Sequence, residues 1–194
     1  MNTPFLSCDE RTAINSGRWF SALSAPLKHD ILRCAYVERY RDGERVAARG
    51  EQPEAWLGCA KGALRVGSSH SLGKHSTLRY LEPGTWFGDV SMLDGDRHTH
   101  DVYAHGASTV VCVGKADFKR ILAQHVELCE ALLCRNAQQI RGLYGRLEDL
   151  NTLPLRVRLA KQLLQLVRRH GLPACGHPNE VRIGIHLAQE SLAQ

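Results

Sequence analysis

No stretch of this sequence approaches the ~18 consecutive apolar residues that a helix needs to cross a membrane, so no membrane-spanning helix is expected. Residues 1–15 also lack the basic-then-apolar pattern of a signal peptide, and the expected location is the cytoplasm. Cys-x-x-Cys pairs are missing too. The seven cysteines (Cys8, Cys34, Cys59, Cys112, Cys129, Cys134 and Cys175) are odd in number and scattered. That argues against a secreted disulfide framework and against a structural zinc site. They read as reduced thiols packed as small hydrophobes. Gly-x-Ser-x-Gly, His-Glu-x-x-His and P-loop motifs are all absent, and no carboxylates are conspicuously paired. Catalysis has no support in these residues, and an enzyme is not expected.

What is present is a chain of 194 residues, 43% hydrophobic and 23% charged, long enough for a sizeable core in one large domain or two small ones. The net charge of +5 is unevenly placed. Residues 1–118 carry 14 basic and 14 acidic side chains, whereas residues 119–170 carry 10 basic and 4 acidic. This surplus hints at a polyanion near the C-terminal half, although a solvated face of arginines would give the same count.

The hydrophobic texture changes twice. Residues 16–36 show helical spacing broken by Pro26, which predicts two short helices, the second starting near that proline. Between Val37 and Val113, short alternating segments (Trp56–Leu57, Ala63–Val66, Thr77–Leu81, Val110–Val113) are separated by Gly43, Gly50, Gly62, Gly73, Gly84, Gly95 and Gly106. Short strands with glycine corners predict an all-β sandwich or barrel, with residues 67–74 as a hairpin tip. From Lys115 the period becomes helical: a short helix over 116–125, a long one over 126–151, a break at 151–154 and a third over 155–170 that Gly171 stops. Residues 172–179 read as a loop, 181–185 as a short strand and 187–194 as the start of a helix. In the long helix Val126, Cys129, Leu133, Asn136, Ile140, Leu143, Leu147 and Leu150 alternate in steps of three and four. Such a seam predicts pairing with a second helix, most economically its own copy in a homodimer, and Asn136 as its polar member would fix register. The alternative is a long core helix within one subunit.

The segment Pro83-Gly84-Thr85-Trp86-Phe87-Gly88-Asp89-Val90-Ser91-Met92-Leu93 resembles the phosphate-binding cassette of cyclic-nucleotide-binding domains. Glycine is apt in such a turn because backbone N–H groups cradle a phosphate that a Cβ would obstruct. Gly43-Glu44, Gly50-Glu51 and Gly62 match the corners of the same β-roll, and the long helix matches a dimer helix. Residues 156–166 and 181–194 resemble the opening of a helix-turn-helix domain. The order of all four parts resembles the Crp–Fnr family of bacterial transcription regulators. That resemblance implies an α+β fold: a cyclic-nucleotide-binding-like β-roll of jelly-roll type (1–125), a dimerisation helix (126–151) and an incomplete winged helix-turn-helix domain (152–194). It implies an allosteric, DNA-binding homodimer, RNA polymerase as a partner, and a recognition helix that follows Gln194. The other expectation from a different class is a ligand-binding module acting on a protein partner without DNA.

The resemblance implies Phe87, Gly88, Asp89, Val90, Arg97, His98 and Thr99 as ligand-binding residues, with two departures. Asp89 stands where the family keeps a glutamate for the ribose. The frame set by Thr99, Val102 and Ala104 puts His98 at the phosphate-binding arginine, with Arg97 one residue early. On extended chain that shift points Arg97 to the opposite face. Guanidinium is a permanently charged fork, whereas imidazole titrates near neutrality. Three outcomes stand open: cyclic AMP or cyclic GMP, a different small effector, or no ligand in this pocket. His98 and His100 lack a clear third metal ligand, and only Cys8 lies where relatives cluster cysteines for an iron–sulfur centre. Haem ligation has no distinctive mark. Neither metal nor cluster is expected.

Overall fold

The computed structural model describes residues 5–69, 75–173 and 180–183. Three helices open the chain: α1 (Cys8–Ser16), α2 (Arg18–Ser21) and α3 (Ala25–Arg33). A reciprocal capping box starts α1. The Glu10 amide donates to Ser7 Oγ at 3.2 Å, and the Ser7 amide donates to Glu10 Oε2 at 2.8 Å. The other oxygen of the buried Glu10 accepts from Thr109 Oγ1 at 2.7 Å, so the same side chain ties α1 to the sheet. These hydrogen bonds hold the Glu10 carboxyl below its ordinary pKa although burial opposes them.

The sheet is antiparallel. β1 (Tyr36–Tyr40), β6 (Asp101–Gly114), β3 (Ala55–Ser69) and β4 (His75–Leu81) lie side by side; β2 (Arg45–Ala47) pairs with β6 and β5 (Trp86–Phe87) with β3. The expected segments Trp56–Leu57 and Ala63–Val66 belong to one strand of 15 residues and Val110–Val113 to one of 14, while Thr77–Leu81 lies in the seven-residue β4. Register shifts between Cys59 and Ala63 mark bulges, which break the alternation while pairing resumes beyond them. Gly62 and Gly106 therefore sit inside strands rather than between them. Gly73 lies outside the described residues, as does the expected hairpin tip from residue 70 to 74. Side chains on one face of the sheet enclose Leu57, Cys59, Leu64, Phe87, Val110 and Cys112. A second core joins the helices to the sheet through Ile14, Phe20, Trp56, Trp86, Phe118 and Leu132.

One close approach fixes how the helices meet the roll. Gly84 has φ +87°, and a Cβ there would lie 2.7 Å from Gly17 Cα and 2.8 Å from the Ala13 carbonyl oxygen. A Cβ on Gly17 would lie 2.2 Å from the Gly84 carbonyl oxygen. Backbone packs on backbone here, so a side chain at Gly84 meets both a strained φ and a clash. Gly84→Ala is expected to lower the unfolding free energy by about 2–4 kcal/mol, read by urea denaturation. Gly43→Ala, where nothing lies within 4 Å, is expected to cost about 1 kcal/mol, from the strained φ alone.

After the sheet come α5 (Lys115–Gln124), α6 (Val126–Thr152) and α7 (Leu155–His170). Helix α4 (Asp89–Asp94) lies earlier, between β5 and β6. The helices α2, α3, α5, α6 and α7 agree with the expected spans. Helices α1 and α4 were not anticipated, and Gly171–Pro173 forms strand β7 paired with β8 (Val181–Ile183) instead of entering a loop. The helix expected over 187–194 lies outside the described residues. The chain divides into two compact units, residues 1–135 and 136–194. The first holds the sheet and both cores; the second holds the rest of α6, α7 and the β7–β8 pair, with Lys161 Nζ 2.7 Å from Asp149 Oδ1.

Candidate ligand site in the cassette

Phe87 closes β5 and is buried opposite Leu57, which anchors the turn that follows. Gly88 then takes φ +85°, ψ −1°, a left-handed conformation that glycine adopts without cost, and caps α4 at its N-terminus. A Cβ on Gly88 would meet only the Ala55 carbonyl oxygen, at 3.8 Å, so the requirement for glycine here is conformational. The first amides of α4 have no partner within the helix. Val90 is exposed, while Asp89 and Met92 face inward.

Asp89 is only 5% exposed, and its carboxylate pairs with the guanidinium of Arg135, itself 12% exposed, from α6. Arg135 also donates to the Trp86 carbonyl oxygen at 3.3 Å and lies 4.8 Å from the centroid of the Trp19 ring. The Trp19 indole donates to the Ala131 carbonyl at 3.1 Å, one helical turn earlier. The residue that the resemblance assigns to a ribose hydroxyl is thus ion-paired to the long helix.

Arg97 and His98 have different surroundings. Arg97 is exposed, and its Nη1 donates to the Gly50 carbonyl oxygen at 2.7 Å. His98 is half-buried, with its backbone bonded to the turn at 50–51: Gly50 N to His98 O at 2.8 Å, and His98 N to Glu51 O at 2.9 Å. Burial pushes the His98 pKa down, opposed by the nearby Glu51 charge. Thr99 is exposed and its hydroxyl lies 2.8 Å from His100 Nδ1. Ser91 Oγ to Arg97 O, at 3.4 Å, ties α4 to this segment. Phe87, Gly88 and Asp89 are therefore held as one unit, and Arg97, His98 and Thr99 as a second strip beside the turn at Gly50.

Arg135 and Trp19 were not legible as site residues. The available signal was a second apolar face on α6, Leu128, Ala131 and Leu132 leading to Arg135, offset from the heptad seam. Leu128 and Leu132 are 0% and 1% exposed in the core of the first unit. The helix thus packs on the roll as well as presenting a seam. On that seam Val126, Leu133, Ile140, Leu143, Leu147 and Leu150 are 50–69% exposed, whereas Cys129 and Asn136 are half-buried. No helix among the described residues is long and apolar enough to cross a membrane.

Residues 37–125 match the family described as cyclic nucleotide-binding domain. The chain is 28% identical over 152 residues to the CRP-like cAMP-activated global transcriptional regulator of Mycobacterium tuberculosis, covering 78% of this chain and 66% of that protein. It is 26% identical over 153 residues to the cyclic AMP receptor protein of Thermus thermophilus, with 75% and 71% covered. The crystal structure of the Thermus thermophilus catabolite activator protein superposes with a TM-score of 0.63 at 24% identity, over 78% of this chain and 71% of that one. The chain thus spans just under two thirds of the length of the mycobacterial regulators it matches. These named relatives are regulators rather than enzymes, in line with the sequence reading. With the antiparallel roll, the glycine-led cassette and the long helix in place, residues 37–125 match a cyclic nucleotide-binding domain and the chain is similar to CRP-like transcriptional regulators.

Proposed function

We propose that this chain is the sensing and dimerising part of a bacterial transcription regulator, with a small effector bound at the cassette biasing helix α6. The observation that carries this reading is the Asp89–Arg135 pair, which joins the cassette to that helix. Any ligand that takes up Asp89 must change what Arg135 holds, and an element shared by site and helix is what coupling requires. The domains are a sensing roll over 1–125, the α6 helix over 126–151 and a DNA-binding domain opening over 152–194. The dimer forms through the seam from Val126 to Leu150, with Asn136 setting register. DNA and RNA polymerase are the partners of the whole regulator, in the cytoplasm.

For the effector, Phe87, Gly88, Asp89, Val90, Arg97, His98 and Thr99 form the candidate lining, and they suit a cyclic nucleotide poorly. Arg97 is engaged by Gly50, and His98 resists protonation. An imidazole with a lowered pKa is neutral at pH 7, so its pairing with a phosphate must draw in a proton. Affinity through His98 should then rise as pH falls below the ordinary histidine value of about 6.5, and fade as pH rises through the ligand-bound pKa. Affinity through Arg97 would be flat over that range.

Calorimetry with cyclic AMP and cyclic GMP, against their linear 5′-monophosphates, tests this. Weak binding by the unmodified chain is expected, strengthened about five- to thirtyfold in His98→Arg, the equivalent of ~1–2 kcal/mol from a gained charge-assisted pair. Arg97→Ala should leave it unchanged. Tight, pH-independent binding that Arg97→Ala abolishes would return the phosphate to Arg97. Absence of binding in both the unmodified chain and His98→Arg would mean that the roll answers to something other than a cyclic nucleotide.

A further inference from the structure

Away from the cassette, the N-terminal segment, α1, α3 and β1 surround a groove of about 320 Å³. Its floor is apolar, formed by half-buried Leu32, Ala35 and Val37. Its walls carry Arg11 from α1 and His29 and Arg33 from α3, and no carboxylate lines it among the described residues. The neighbouring acids are engaged elsewhere. Glu10 accepts from the Ser7 amide and from Thr109 and lies 3.6 Å from Arg39. Asp30 accepts from His125 Nε2 at 2.9 Å. Arg33 approaches Asp30 only at 3.7 Å with its own side chain 60% exposed, and so loose an exposed pair leaves the guanidinium available to another anion.

We infer that this groove is a second ligand site, for a small amphipathic carboxylate: an anionic head held by the lining cations of α1 and α3 and an apolar tail on the Leu32–Val37 floor. Two arguments select that chemistry. Cations contributed by two helices, with no lining carboxylate among the described residues, complement a single anionic head, and guanidinium pairs with carboxylate as a fork. The volume is at the lower end of ligand pockets, about 300–1,000 Å³, which fits a short chain or single ring rather than a macromolecule. The occupant is a free carboxylate in solution, and the site stands apart from the cassette and from its proposed role.

Decanoate is the probe, titrated calorimetrically into the whole chain, with acetate (head alone) and decan-1-ol (tail alone) as controls. Saturable binding of one decanoate per chain is expected, with acetate and decanol each at least about tenfold weaker, as a site using both contacts requires. Arg11→Ala with Arg33→Ala should weaken decanoate about tenfold or more by removing the charged contacts. Val37→Trp, which fills the floor, should abolish it with far-ultraviolet circular dichroism unchanged. Cyclic AMP should not compete, and His98→Arg should bind decanoate as the unmodified chain does. The inference is overturned by absent saturation, by equal binding of decanol, by a double variant that binds within about twofold, or by competition from cyclic AMP. It is also overturned if deleting residues 1–4 raises affinity about tenfold, an intramolecular occupant being displaced, or if only anionic lipid vesicles bind.

Discussion

Arg135→Ala is expected to lower the unfolding free energy by about 3–5 kcal/mol, because removing one partner leaves the other charge buried. Asp89 and Arg135 are 5% and 12% exposed, so water cannot replace the lost guanidinium. The substitution also strips the contact on the Trp19 ring and the donor to Trp86. Replacing both charges together, Asp89→Asn with Arg135→Leu, should cost much less than the sum of the single changes, since neither variant side chain is then an uncompensated ion. Denaturation followed by tryptophan fluorescence suits the measurement, because Trp19 and Trp86 both touch Arg135. A loss below about 1 kcal/mol for Arg135→Ala would mean the pair behaves like a surface ion pair.

Leu143→Asp together with Leu147→Asp should convert a dimer to monomers. Leu143 and Leu147 are 58% and 54% exposed in the single chain, and burying that remaining surface on four copies at an interface contributes about 3–7 kcal/mol, roughly half of the ~1.5–3 kcal/mol per fully buried side chain. The variant loses that burial and would place four carboxylates against apolar surface. Sedimentation at tens of micromolar (an order-of-magnitude choice from obligate-dimer behaviour) should show a dimer for the unmodified chain and a monomer for the variant. A monomeric unmodified chain would remove the homodimer from the proposed function.

Periodicity carried most of the helical part. The change to a 3.6-residue period at Lys115 gave α5, α6 and α7 nearly to the residue, because their apolar positions repeat with Asn136 as the one polar member of the α6 seam. Strands were less legible. The bulges near Lys61 let pairing continue across what reads as a break, so β3 and β6 look like fragments. Helix α1 is polar and short, and its one clear mark in the sequence is the capping-box pair of Ser7 and Glu10 three residues on. Strand β7 exists through pairing with β8, a contact no local pattern encodes. In the cassette, the glycines and Asp89 stood out because turn chemistry is local. The engagement of Arg97 by Gly50 and of Asp89 by Arg135 joins residues 47 and 46 positions apart, and only the folded chain shows either. The heptad seam drew attention to one face of α6, while the face carrying Leu128, Leu132 and Arg135 holds the roll.

Whether cassette and long helix act as one element is tested most directly by hydrogen exchange over residues 128–135 in Asp89→Asn against the unmodified chain. If Asp89 holds Arg135 in place, amide exchange there should quicken about tenfold or more, corresponding to ~1.4 kcal/mol less protection against local opening. The effect should be reciprocal, with Arg135→Ala quickening exchange in α4 over residues 89–94. Exchange that stays unchanged in both segments, with each variant still folded, would contradict coupling through this pair.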